Sequence, residues 1–352
     1  MAESFVQNFN HLKIHSQFSI CEGALKIDDL KDFSKENKLK SLGLCDTINL
    51  CGALEFSEKL SKIGTQPIIG TQINFKYADT IGLLPLFALN EKGYKNIIEL
   101  SSSSYLKNDS ISEPYLNLDE LSKKNEGVAL FSGTINGLSG QLFNKGKFLD
   151  IRELYFKLKT IFSDRFYIEI QRHYDQNEIE FEKFNLSKSS DLKIPLIATN
   201  EVYYLKKDMH EAHDALICIK NKTYINEKNR IKFSDQHYLK NNDEMSELFA
   251  DLPEALENNY NFVYRCNFRP LLSKPILPNI SSAKDGDANE TLRKDSYIGL
   301  KSKFNDIFNL KDENFLSNEE YLKYKDRLDH ELGIITEMKY SSYFLIVSDY
   351  IK

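Results

Sequence analysis

A run of ionisable side chains opens the chain at His11-Leu12-Lys13-Ile14-His15-Ser16, with Cys21-Glu22-Gly23 close behind. The run alternates. In a strand, Leu12 and Ile14 would point to one face and His11, Lys13 and His15 to the other. Two imidazoles and an ammonium on one face, followed by a carboxylate, suit the mouth of a barrel. A metal enzyme would read His-x-His here, because neutral imidazole is a good ligand for zinc or manganese. Lys13 stands where the first of those histidines would stand, and a protonated lysine has no lone pair to give. The stretch poses a choice between a metal site and a site whose metal has been replaced, with plain surface histidines as the bland third reading.

The elements that must position these residues alternate. Short apolar strands are expected at 42–46, 71–75, 83–89, 127–131, 166–170 and 196–201, and helices at 27–38, 51–63, 94–100 and 149–162. Strands of about five residues alternating with helices imply a parallel sheet. Six or seven such units imply a closed barrel more than an open sheet. In such barrels chemistry sits at the carboxyl ends of strands, where this reading places Asp46, Gln72, Thr134, His173 and Glu201. After residue 205 the pattern turns helical, at 208–220 and 243–266. Pro270, Pro275 and Pro278, with the polar run 281–287, predict a linker. Amphipathic helices are expected at 289–305 and 318–338. An apolar stretch, 343–350, then runs almost to the last residue and reads as an element cut short.

With 352 residues, 41% hydrophobic and 12% aromatic, the chain can fill one large barrel and part of a second domain. Its formal net charge of −6 argues against a stand-alone nucleic-acid binder, which would usually be basic. The five cysteines form no CxxC pair, as expected of free thiols in a reducing cytoplasm. Nothing reads as a signal peptide or as an apolar run of membrane-spanning length.

Several stretches then carry a family. They are residues 11–23, Leu44-Cys45-Asp46-Thr47-Ile48-Asn49-Leu50-Cys51-Gly52, Pro67-Ile68-Ile69-Gly70, Asn90-Glu91-Lys92-Gly93-Tyr94 and Ile197-Ala198-Thr199-Asn200-Glu201-Val202. The most specific is Glu247-Leu248-Phe249-Ala250-Asp251-Leu252-Pro253-Glu254-Ala255-Leu256-Glu257-Asn258, followed by Arg265-Cys266-Asn267. In this order they resemble the N-terminal part of the C-family replicative polymerases of bacteria, the DNA polymerase III alpha subunits, from about residue 9 to the end. The resemblance implies an α/β fold: a distorted seven-stranded barrel of the polymerase-and-histidinol-phosphatase (PHP) type over residues 1–270. A linker at 271–288 and the start of a polymerase palm at 289–352 would follow. It implies that the catalytic aspartates and Mg2+ of DNA synthesis belong to segments beyond this chain, so no catalytic residue is assigned here. Expected partners are a proofreading exonuclease, other replisome subunits and, for the full-length protein, primer-template DNA; the expected location is cytoplasmic.

In family members with an intact metal site, the resemblance places ligands at the positions of Lys13, His15, Glu22, Thr47, Gln72, Leu83, Thr134, Glu201 and Tyr203. Here only His15, Glu22 and Glu201 remain as plausible direct ligands. With the softer donors gone, Glu22, Asp46 and Glu201 would face one another without a cation and raise each other's pKa. Lys13 is the expected replacement for the lost charge, at a partly exposed mouth lined by Asp46, Thr47, Gln72, Leu83, Thr134, His173 and Tyr203. No cofactor is expected in this chain.

Other candidates are weaker. His210 and His213 lie three apart, which is not the four-residue spacing of HExxH, and read as helix-packing residues. His173 reads equally as mouth-lining or as exposed loop. Lys220, Lys222, Lys228, Arg230 and Lys232 read first as a solvated surface, then as a contact for template or partner. Two functions compete: a non-catalytic scaffold that docks a proofreading exonuclease, and a metal-dependent phosphoesterase or intrinsic 3'–5' proofreader using a residual metal.

Overall fold

The structure, a computed structural model, describes residues 9–107, 113–275, 287–308 and 319–351. They divide into two units, Met1–Leu272 and Ser273–Lys352. The linker expected at 271–288 lies mostly outside the described residues.

The first unit begins with β1 (Lys13–Ile14), α1 (Ile27–Glu36), β2 (Ser41–Thr47), α2 (Ala53–Ser61), β3 (Gln66–Tyr77), β4 (Thr80–Ala88) and α3 (Glu91–Leu106). It continues with β5 (Leu116–Asn117), α4 (Asp119–Lys123), β6 (Val128–Phe131), α5 (Leu138–Asn144), α6 (Phe148–Phe162), β7 (Phe166–Ile170), α7 (Glu178–Leu192), β8 (Leu196–Ala198) and β9 (Glu201–Val202). Three helices follow: α8 (His210–Asn221), α9 (Asn242–Leu248) and α10 (Pro253–Phe262).

The strands form a curled mixed sheet in the order β2-β3-β4-β6-β7-β8, with β5 on β3. The all-parallel expectation fails at one place. β3 and β4 are two long arms of a hairpin, antiparallel from Gly70–Phe87 to Tyr77–Thr80, and β4 is antiparallel to β6 as well. The cause is local: only Ala78-Asp79 separates the arms, with Ala78 at φ 52°, so no helix can cross over there. Gln72 consequently lies mid-strand rather than at a strand end.

The sheet's free edges are joined by a two-stranded ribbon. β1 pairs with β9 in parallel, Lys13 to Glu201 and Ile14 to Val202. β9 directly follows β8, and the Gly43 N–H of β2 donates to His11 O just before β1, at 2.7 Å. The period of two sorts the side chains. Cys45, Ile68, Phe87, Ala129, Phe131, Tyr167 and Ile197 meet inside the curl, with Leu12. Their neighbours Leu84, Leu86, Val128, Leu130, Phe166, Ile168 and Ala198 face the outer helices.

One end of the interior is plugged by α10. Its Phe262 ring packs edge-on against Phe87 and Phe131, with centroids 5.6 and 5.1 Å away. Asn259, wholly buried, anchors the plug. It accepts from the Asn10 N–H at 2.8 Å and donates to Asn10 O and Ala198 O at 2.9 and 3.0 Å. Gly93 has a steric reason to be glycine: a Cβ there would lie 1.8 Å from Gly127 O, where α3 packs on the turn before β6.

The second unit holds α11 (Ala288–Phe308), α12 (Glu319–Glu337) and α13 (Ser341–Ile351). Leu292, Leu332 and Leu345, one from each helix, form its small core. Among the described residues no helix is long and apolar enough to cross a membrane.

Candidate functional site

The site is built where the ribbon meets the inner face of the sheet. Lys13 is 1% exposed, and its Nζ lies 3.2 Å from Glu201 Oε1 and 3.5 Å from Glu169 Oε1. Glu169 is the one charged residue of β7, in an otherwise apolar Phe-Tyr-Ile-Glu-Ile strand, and shares the inward face with Tyr167. Glu201 Oε1 also meets His15 Nε2 at 3.0 Å and accepts from Gln72 Nε2 at 3.3 Å. Thr47 Oγ1 lies 3.5 Å from His15 Nδ1, and the Tyr203 ring stacks on His15 with centroids 4.6 Å apart.

Burial alone would drive the Lys13 ammonium toward its neutral form. The Glu169 and Glu201 carboxylates reverse this and hold its pKa above the usual lysine range. Burial would likewise raise Glu201, but the Lys13 charge and the His15 hydrogen bond hold it well below the carboxylate range. Glu169 goes the other way: burial raises it, and Lys13 and the Thr199 hydroxyl offset only part of that.

Around this cluster stand neighbours with partners of their own. Asp46 accepts from the Ser16 N–H at 2.7 Å and from the Ser16 and Ser19 hydroxyls. Glu22 pairs with Lys220 of α8. His173 is 1% exposed and stacks on His237, centroids 4.0 Å apart. The His173 Nε2 accepts the Glu201 N–H at 3.2 Å and lies 3.0 Å from Asn200 Oδ1. His237 bridges Glu201 O, at 3.0 Å, and Asp175, at 3.1 Å.

This donor set fits a metal cluster poorly. The ammonium has no lone pair, and the Glu201 oxygen nearest to it is already met by Lys13, His15 and Gln72. Among the described residues no group of three or more His, Cys, Asp or Glu side chains is arranged to hold a metal ion. What the arrangement does chemically is neutralise charge and tie β1, β7 and β9 together.

Comparison with known proteins places the chain. Residues 11–173 match the PHP domain, and residues 290–352 match the bacterial DNA polymerase III alpha NTPase domain. The DNA polymerase III subunit alpha of Caulobacter vibrioides is 37% identical over 363 residues, covering 100% of this chain and 31% of that protein. The chain belongs to the DNA polymerase III alpha subunit family. The alpha subunit of Rickettsia felis is 38% identical over 98% of this chain and 29% of its own length. The chain thus spans about a third of the length of these curated relatives. Among solved structures, a two-domain protein of Bacteroides vulgatus, described as containing a predicted PHP-like metal-dependent phosphoesterase, is 14% identical, with a TM-score of 0.36. That match covers 68% of this chain and 62% of the Bacteroides protein.

Of the positions singled out by resemblance to the alpha subunits, the structure gathers Lys13, His15, Thr47, Gln72, Glu201 and Tyr203. Thr134 lines a cavity with Glu169 on the far side of the cluster, and the others lie apart. Glu22 and Asp46 are not the carboxylates that meet Lys13, contrary to expectation: the Cys21 turn, at φ 57°, carries Glu22 away to α8, and three serine donors hold Asp46. Leu83 pairs with Asn74 in the hairpin, and its carbonyl backs the Gly133–Gly137 turn on which Thr134 sits. His173 is buried beside the cluster, not in an exposed loop. His11 leaves the group as well, its Nε2 2.8 Å from Lys240 O. Leu12 and Ile14 do not share a face, because the strand spans only Lys13–Ile14; Leu12 turns into the barrel and Ile14 packs under α1 and α2. His210 and His213 spend their Nε2 atoms on the carbonyls of Phe233 and Glu22, as packing residues do. Of the basic run, Arg230 is clamped by Asp214 in a two-pronged pair.

Glu169, His237 and Asn200 join the site without standing among the positions expected from the sequence. Glu169 carried a readable signal, a lone carboxylate at an inward position of an apolar strand. His237 carried none, since it lies in irregular chain and reaches the site only through tertiary packing.

Proposed function

We propose that this chain is the N-terminal section of a replicative DNA polymerase alpha subunit whose barrel is a non-catalytic scaffold that docks a proofreading exonuclease. In this reading the full-length protein carries out DNA-directed DNA synthesis on primer-template DNA, with Mg2+ held by aspartates outside residues 1–352. The observation that carries the scaffold reading is the Lys13 ammonium between Glu169 and Glu201, where an intact site would place a metal ligand. A fixed protein cation holds the mouth together at any metal concentration, so the barrel keeps its shape without a hydrolytic centre. The match to alpha subunits along the whole chain supports the polymerase context.

The test mixes the purified chain with the cognate 3'–5' exonuclease subunit and follows size-exclusion elution, alongside elemental analysis and primer extension. Expected are a co-eluting complex, transition metal well below one ion per chain, and no nucleotide incorporation. Stoichiometric zinc, manganese or iron with metal-dependent phosphoesterase activity would overturn the scaffold reading and favour an intrinsic proofreader.

A further inference from the structure

We infer that a single ordered water molecule occupies the small cavity between β7 and α7, joins Glu169 to Asn185, and completes the Lys13 ion cluster from behind. The cavity has a volume of about 10 Å3 and is lined by Thr134, Glu169, Gln171, Glu178, Phe181 and Asn185 among others. That is the room needed for one water, roughly 10–15 Å3, and nothing larger fits.

Among the described residues, two buried polar atoms of residues on this lining have no partner. Glu169 is 2% exposed and Asn185 1%. Glu169 Oε1 is fully used: it faces Lys13 at 3.5 Å and accepts from Gln171 Nε2 at 3.1 Å and from the Thr199 hydroxyl. Its Oε2 has no partner. Asn185 Oδ1 accepts from the Tyr155 hydroxyl at 2.9 Å, and Asn185 Nδ2 has no partner. One residue thus offers a carboxylate acceptor and the other an amide donor, and both residues line the same small pocket. Leaving either bare is costly, since a buried polar group without a hydrogen bond loses its hydration and gains nothing.

Water is the ligand whose chemistry closes both gaps. It accepts from Asn185 Nδ2 and donates to Glu169 Oε2. A metal cation would be repelled by the amide N–H groups, and an anion by the carboxylate. If the amide were turned over, Tyr155 would accept from Nδ2 and two oxygens would face the pocket. A water donates to both in that case, so the inference does not depend on the amide's orientation.

A high-resolution crystal structure of the 352-residue chain tests it. Expected is a density peak at about 2.7–3.2 Å from both Glu169 Oε2 and the facing Asn185 atom. Tyr155→Phe removes the bond to Asn185 Oδ1 and should keep the peak; Asn185→Leu should abolish it. Because Asn185→Leu could fail to fold, magnetisation transfer from a long-lived water to the Asn185 side-chain amide, in the unaltered chain, is a second expected signal. An empty pocket in the unaltered chain, an anomalous metal signal there, or a dry pocket with an infrared band of protonated Glu169 would each overturn the proposal.

Discussion

Lys13 is a buried cation held between two carboxylates, so its removal is felt in full. An exposed mouth would limit the loss from Lys13→Ala to roughly 1–3 kcal/mol, whereas stripping one partner from a buried ion cluster costs about 3–5 kcal/mol. With Lys13 at 1% exposure, the larger figure is expected at pH 7, measured by urea unfolding. The loss should shrink toward pH 5. Glu169, already raised by burial, takes up a proton more readily once the ammonium is gone, and a neutral acid needs no counter-ion. Equal losses at both pH values would show that Lys13 acts only through its bulk. Glu178 makes a second case at this scale. Burial pushes its pKa up to about 7, although it accepts the backbone N–H groups of His173 and Tyr174. A carboxylic acid raised in the folded state stabilises below its unfolded pKa, and that contribution is lost as pH rises through the folded value. Glu178→Gln should therefore flatten the fall in stability between pH 4.5 and 7 by on the order of 2–3 kcal/mol. An unchanged pH profile of unfolding would refute this.

At the scale of elements, the helix that closes the barrel matters as much as the strands that form it. Helix α10 puts the Phe262 ring among Phe87, Phe131 and Tyr167 and clamps Asn10 and Ala198 through Asn259. Phe262→Ala should cost about 3–5 kcal/mol, as expected for a fully buried aromatic whose cavity is walled by strands that cannot collapse. Asn259→Ala should cost about 2–4 kcal/mol, because it leaves the Asn10 N–H, Asn10 O and Ala198 O without partners in a buried place. Thermal unfolding of both variants checks this, and losses under 1 kcal/mol would show that α10 is a surface addition rather than part of the barrel. The acidic, proline-started segment around residue 253 read as a helix from its sequence. Its role as the barrel's plug did not, since Phe262 meets Phe87 and Phe131 only after the sheet has curled.

For the whole molecule, the two compact units each carry a core of their own. Residues 271–275 have no regular structure, and Leu271 and Leu272 are 62% and 70% exposed. Limited proteolysis should therefore cut first between about residues 270 and 290 and leave a stable fragment of the first unit; first cuts within 20–200 would contradict it. Apolar runs such as Phe166–Ile170 made most of the sheet's strands legible in the chain, though not the hairpin pairing of β3 with β4 or the separate β5, and residue types alone say which donors are present at Lys13, Thr47, Gln72 and Tyr203. The sequence also held Glu169 in plain view, one charge on the inward beat of an apolar strand. Tertiary structure alone decided the pairing. Which carboxylate meets Lys13 depends on the ribbon's register with β9 and on the curl that brings β7 opposite β1, while local turns send Glu22 to Lys220 and Asp46 to its serines. Side-chain type is written in the chain residue by residue, but an ion pair between residues 156 positions apart, such as Lys13 and Glu169, exists only once the sheet has brought its edges together.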